Sequence, residues 1–374
     1  MVDEPFRVRD GASTGPLVGS TFVVKDLVDV LGCTVRSGQP TWAATHGPAR
    51  ADAPVVTRLL AAGARLVGRT HTAEMAYSLS GRDDPYGMPV NPSAPDLDTG
   101  GSSSGSAAAV AGGLADLGVG TDTLGSIRVP ASSCGLYGWR PTHGLVPAEG
   151  VHPLAASLDT VGLLARDLGL LHRGAQVLAA RPLDQPPSGR CLLAADAFAL
   201  LEPELAELLR DGVRVDAEIE LAPPGRTLAE LTLTVRDVQG PEFAAAHRAW
   251  IESARPTFGP GVGERIAHAL GVTPEAHIAA EAVRDEVRAH LAAVVGVGDV
   301  VVLPAAGPPP RRDADEATVA AARALAAGLS VVGSLAGAPT VTVPAANLDG
   351  VPLGRSWLAR PGEDGTLFRA LGGR

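Results

Sequence analysis

Lysine is almost missing from this sequence: Lys25 stands alone, and arginine fills every other position among the 31 Lys plus Arg. Cysteine is scarce as well. Cys33, Cys134 and Cys191 are odd in number and far apart, which excludes a disulfide framework or a zinc-finger spacing and suits a reducing compartment. A positive surplus is absent, because 41 Asp plus Glu outweigh the basic residues for a net charge of -10, which argues against a nucleic-acid partner. The first residues, MVDEPFRVRD, contain no apolar h-region, and no apolar run approaches the ~20 residues of a membrane span. The expectation is a cytoplasmic protein without membrane contact. With no repeat of about 20 to 50 residues and no heptad run, solenoid and coiled-coil architectures also drop out.

What is present is an ordinary globular composition of 374 residues, 45% hydrophobic and 19% charged, enough for one large α/β domain. Thr21-Phe22-Val23-Val24 reads as a β-rich run ending at Lys25-Asp26. Asp52 is placed to cap a helix over Pro54 to Leu60, Gly63 to stop it, Leu66-Val67-Gly68 to form a strand, and Thr72 to open a second helix. A Gly/Ser-rich loop, Gly101 to Ser106, then leads into a small-residue helix over Ala107 to Ala111. Leu117 to Thr121 reads as a buried strand, followed by a turn-rich connection from Asp122 to Pro130. Between about 180 and 298 strand-like runs become scarce and Glu202 to Arg210 and Thr273 to Ala292 are helix-like, so this stretch is expected to be a variable helical cover. Val300 to Pro304 and Thr340 to Pro344 resume the strand pattern on either side of a helix over Glu316 to Gly328.

The nine histidines include no HExxH pair, so no metal site is expected. Gly101-Ser102-Ser103-Ser104-Gly105 formally fits a G-x-S-x-G nucleophile turn, but no Asp and His stand in matching context. A phosphate loop fails for want of a following GK[ST] lysine. Lys25 is different. A codon bias toward arginine should have removed it unless arginine cannot serve there, and lysine, unlike arginine, can lose its proton when buried. Lys25 at a strand end is therefore a candidate base, beside two serine-bearing turns.

These residues carry a resemblance. Gly100 to Ala107, Gly120 to Ala131 and the following Cys134-Gly135-Leu136-Tyr137-Gly138-Trp139-Arg140-Pro141-Thr142, taken with Lys25-Asp26 and Leu335 to Thr340, resemble the amidase signature family over most of the chain. A narrower similarity, to the plant amidase 1 branch of indole-3-acetamide hydrolases and its bacterial relatives, rests on Ala76-Tyr77-Ser78, Tyr86-Gly87, Ser157 to Gly162, Trp250-Ile251 and Phe258 to Gly261.

The resemblance implies an α/β amidase signature fold over 1–374 as a single domain, with a central mixed, twisted sheet covered by helices on both faces. It implies Lys25 as base, Ser126 as nucleophile and Ser102 as the bridging serine on a cis peptide, with Ser103 and Ser104 holding the loop. The backbone N–H groups of Thr123, Leu124, Gly125 and Ser126 would form the oxyanion hole, and Arg128 would order that loop. Such a relay needs no histidine, but it needs Lys25 neutral near pH 7, about 3 pH units below its ordinary value, or about 4 kcal/mol. Met75, Tyr77 and Trp250 are expected substrate contacts, with Phe258 another aromatic that could line the pocket. No cofactor is expected; the partners are a small-molecule amide and, for the chain itself, a homodimer. One departure stands out. The family usually has glycine where this chain has Leu124, and a positive φ there would cost about 1–2 kcal/mol and tilt a donor away.

The activity implied is hydrolysis of a small primary amide, such as the aryl-acetamide indole-3-acetamide, to an acid and ammonia. Two other readings share the signature: a catalytically silent docking domain, as in chloroplast receptor relatives, and an ammonia-supplying amidotransferase subunit.

Overall fold

The computed structural model describes residues 6–82, 85–183 and 189–372. Strand β1 (Thr21–Lys25) forms where the β-branched run predicts it, and α1 (Pro40–Thr45) follows. Helix α2 (Pro54–Ala61) starts on its proline and ends just before Gly63, and β2 (Arg65–Thr70) then pairs parallel with β1. Asp52 does not cap α2. Its carboxylate takes both guanidinium nitrogens of Arg9 (2.6 and 2.7 Å) and the Leu31 N–H (2.9 Å), so a tertiary ion pair outbids the local cap.

The second helix expected from Thr72 does not form. Only a single 3-10 turn, Glu74–Ala76, appears, with Met75 and Ala76 at φ +51° and +57°. The Met75 N–H donates to the Ser37 carbonyl (2.7 Å) and the Ala73 N–H to that of Ser102 (3.2 Å), leaving no helical ladder to propagate.

Helix α3 (Ser104–Ala111), β3 (Leu117–Asp122), α4 (Arg128–Ser133), β4 (Tyr137–Arg140) and β5 (Thr160–Ala165) complete the signature half of the chain. Beyond α5 (Leu168–Ala179) lies the stretch expected to be a cover, and it does more than cover. Within it, β6 (Cys191–Ala194) and β7 (Ala217–Ile219) add two parallel strands to the sheet edge, interleaved with α6 (Ala195–Phe198) and α7 (Pro203–Arg210). These strands are three or four residues long, too short to register as a sequence pattern.

The 27-residue α8 (Leu228–Ala254), unread in the sequence because Pro241 sits inside it, opens with a Thr227/Glu230 capping box. Then come α9 (Val262–Gly271), α10 (Pro274–Val294), β8 (Val300–Pro304), α11 (Glu316–Leu335), β9 (Thr340–Leu348), β10 (Val351–Leu358) and α12 (Asp364–Gly372). By length and apolarity α11 could cross a membrane, which the run-by-run sequence reading missed. Here its C-terminal half, Gly328 to Leu335, is buried against the sheet.

The sheet runs β2-β1-β3-β5-β4-β9-β10-β8-β6-β7. It is parallel at both ends and antiparallel in the middle. Alternation along β8 shows why helices are needed on both faces: Val300 and Val302 join a core with residues of α2, α5 and α12, whereas Val301 and Leu303 join another with α8, α10 and α11. The fold is thus a mixed α/β sheet between helical layers. Parallel β1 and β3 are neighbours, so their carboxyl ends, at Lys25 and Asp122, open side by side.

Candidate active site

The serine loop is held from several directions before α3 begins. Asp98 accepts the N–H of Gly100 (2.8 Å) and Gly81 (2.9 Å) and the Ser80 hydroxyl (2.5 Å). The Gly101–Ser102 peptide is cis, and the Ser102 carbonyl accepts from Thr72 Oγ1 (3.1 Å) as well as from Ala73. Ser103 bridges α3 to β3, its hydroxyl donating to the Thr121 carbonyl (3.2 Å) and accepting the Thr121 N–H (3.3 Å). That approach needs Gly120: a Cβ there would stand 2.8 Å from Ser103 Oγ. The Ser104 hydroxyl is buried without a partner among the described residues.

Lys25 ends β1 with 0% exposure. Its Nζ donates to Ser102 Oγ at 2.7 Å and to Thr121 Oγ1 at 2.8 Å, and among the described residues it meets no carboxylate. Burial drives its pKa down to about 7, against the opposing charges of Asp122 and Asp159. The Ser126 carbonyl accepts the Ser103 N–H (3.3 Å), which ties the second serine turn to the first, and Ser126 is 4% exposed.

Asp122, the last residue of β3, organises that second turn. Its carboxylate accepts the N–H of Gly125 (2.8 Å), Ile127 (3.1 Å) and Arg128 (3.3 Å), the Arg128 side chain (2.8 and 3.0 Å) and Arg140 Nη1 (2.9 Å). Burial alone would raise this carboxyl; Arg128 and Arg140 together hold it well below the usual range. Arg140 is lowered to about 10 by its own burial, in spite of Asp122. Arg128 also reaches the Ser330 carbonyl and Ser334 Oγ (both 2.8 Å), so it orders the turn as expected and fixes it to α11.

The positive φ of the turn falls on Gly125 (+115°) and not on Leu124, whose side chain packs at the edge of the α8–α10–α11 core. The substitution of leucine for the family's glycine therefore costs no left-handed strain. Gly125 itself has its N–H committed to Asp122, while the N–H groups of Thr123, Leu124 and Ser126 have no partner among the described residues. Three of the four expected oxyanion donors are open.

With this geometry in view, comparison with known proteins is decisive. An amidase family profile matches residues 3–192. Amidase 1 of Oryza sativa subsp. japonica is 37% identical over 95% of this chain and 90% of its own length. Amidase 1 of Arabidopsis thaliana is 37% identical over 96% of this chain and 92% of its own. The chain belongs to the amidase signature family. A crystal structure of an amidase superimposes with a TM-score of 0.85 at 30% identity, covering 95% of this chain and 84% of that one.

An amidase signature enzyme needs an acyl pocket, and the expected contacts do not line the cavity beside the site. Met75, Tyr77 and Trp250 do come together, in an apolar cluster with Phe243, Phe258, Val262 and Ile266. There Tyr77 Oη accepts Gln239 Nε2 (2.9 Å), with its phenol pushed up to about 12 by burial, and Trp250 Nε1 donates to Thr45 Oγ1 (3.0 Å). The cavity next to the lysine is bounded instead by Leu27, Ala76, Thr121, Thr123, Leu154 and Asp159, among others.

Thr121, Asp122 and Asp159 are the site residues the sequence reading overlooked. The alternation of Gly120-Thr121-Asp122 at a strand end was the available signal for the first two. Nothing local pointed to the partner of Asp159, which lies 36 residues away at Thr123.

Proposed function

We propose that the protein hydrolyses a small primary amide to a carboxylic acid and ammonia through an acyl-enzyme on Ser126. The observation that carries this reading is the fully buried Lys25 amine donating to Ser102 Oγ at 2.7 Å, with no carboxylate bonded to it among the described residues. Neutral Lys25 takes the Ser102 proton while Ser102 takes that of Ser126, and Ser126 Oγ adds to the amide carbon. The oxyanion settles on the N–H groups of Thr123, Leu124 and Ser126. Collapse breaks the C–N bond and returns the proton through Ser102 to the departing ammonia. Water, deprotonated by the same relay, then releases the acid.

The acyl group faces the cavity of Leu27, Ala76, Val151, Leu154 and Val161, an apolar wall that supports an aryl-acetamide such as indole-3-acetamide as the leading substrate. The test is ammonia release from a panel of primary amides by the wild type and Ser126→Ala, with a serine-directed fluorophosphonate as a second probe. Release and labelling that both vanish in the variant are the expected result. A wild type that neither releases ammonia nor takes the label would favour a silent docking domain instead.

A further inference from the structure

Asp159 stands immediately before β5 in the Ser157-Leu158-Asp159-Thr160-Val161-Gly162 stretch, and the relay of Lys25, Ser102 and Ser126 gives it no part. Its Oδ2 accepts the N–H of Leu154 (2.8 Å) and Ala155 (2.9 Å). Its Oδ1 accepts the Thr123 hydroxyl at 2.5 Å, the length of a charge-assisted O–H···O⁻ bond. The segment carrying Asp159 is pinned from the opposite side by two helices. Glu242 of α8 accepts the Ser157 N–H (2.8 Å), and Arg284 of α10, 4% exposed, donates to the Ser157 carbonyl (2.6 Å) and hydroxyl (2.9 Å).

Thr123 lies one residue past the end of β3; the Asp122 carbonyl on its peptide plane accepts Arg140 Nη1 and Thr160 Oγ1 (2.9 Å), which leaves the Thr123 side chain as the other handle on that plane. The Asp122 carboxylate anchors the turn at Gly125, Ile127 and Arg128 and gives Thr123 no hydrogen bond among the described residues. At the leading edge of the turn, the tether to Asp159 holds the Thr123 side chain while Arg140 and Thr160 hold the Asp122 carbonyl.

We propose that Asp159 is a positioning residue that aims the Thr123 N–H at the developing oxyanion, with α8 and α10 as its rigid frame. This rests on the amidase reading above. It gives the helices of the 180–298 stretch a mechanistic role: they reach the oxyanion turn through their hydrogen bonds to Ser157, the covalent segment 157–159 and the Thr123–Asp159 hydrogen bond. Because Asp159 also borders the cavity, the rival role is substrate contact, which would act on KM.

The variants are Asp159→Ala, Asp159→Asn, Thr123→Val, Thr123→Ser and the Thr123→Val/Asp159→Ala double. Loss of one oxyanion donor predicts a fall in kcat of about 10²–10³ for Asp159→Ala and Thr123→Val, with KM within about threefold. The double variant should be no slower than the worse single, and Thr123→Ser should recover most of what Thr123→Val loses. Asp159→Asn, which keeps an acceptor oxygen and the side-chain volume, guards against a variant that merely fails to fold. Hydrogen exchange of the free protein supplies a readout independent of turnover: amides of 123–126 should exchange faster in Asp159→Ala while those of β3 and β5 stay unchanged. Losses that multiply in the double variant, an effect confined to KM, or unchanged exchange at 123–126 would each overturn the proposal. If the wild type releases no ammonia, the amidase reading fails by itself, and the exchange comparison still decides whether Asp159 fixes the turn.

Discussion

Replacing Lys25 by arginine keeps a positive charge and most of the length at the end of β1 but removes the capacity to lose a proton. With its pKa lowered to about 7 by burial, half of the Lys25 population is neutral at pH 7. At the ordinary value of 10.5 only about one in 3,000 would be, so burial supplies a factor of about 10³ in available base. The kcat/KM of the wild type should therefore rise about tenfold per pH unit up to about pH 7 and level off above it.

Lys25→Arg should lose about 10²–10⁴ in kcat/KM across that range, read as ammonia release from pH 5 to 10. The same group leaves a mark on stability. Between pH 7 and 10.5 the unfolded state holds a proton that the folded state has shed. Stability thus rises with pH by about 1.4 kcal/mol per unit through this window, about 5 kcal/mol in all, and that contribution is lost as pH falls to 7. An acidic limb above pH 9, or an arginine variant within threefold of the wild type, would refute the neutral-lysine argument.

Three further outcomes follow from the second turn. Asp122→Asn strips the carboxylate from between Arg128 and Arg140 and should cost about 3–5 kcal/mol in urea denaturation, because two buried guanidinium groups lose their counter-charge; a loss below about 1 kcal/mol would mean that other acceptors satisfy them. The Asp122 carboxyl is held below its ordinary range, so its stabilisation is present above about pH 4 and disappears as pH falls further. Gly125→Ala puts a Cβ 2.6 Å from Ser330 Oγ at φ +115° and should cost at least about 1–2 kcal/mol while slowing fluorophosphonate labelling of Ser126; unchanged labelling would contradict the geometry of the turn.

The sequence by itself determined the family and the strands β1, β2, β3, β8 and β9. A lone lysine in an arginine-only chain, at the end of a β-branched run, was visible without any contact map, and so were the two serine turns. The reason is that strand ends, glycine turns and a residue type that cannot be exchanged all leave local marks.

The tertiary structure decided what depends on distant partners. Asp52 gave up capping α2 for Arg9, and the helix expected from Thr72 dissolved because its amides found carbonyls at Ser37 and Ser102. The positive φ settled on Gly125 rather than Leu124, and Met75, Tyr77 and Trp250 went into a packed cluster that meets the cavity at Leu154 without lining it. The short strands β6 and β7 extend the edge that β8 offers, β6 pairing with β8 and β7 with β6. Above all, the value near 7 for Lys25 belongs to no sequence pattern. It comes from burial, which is a property of everything packed around the amine.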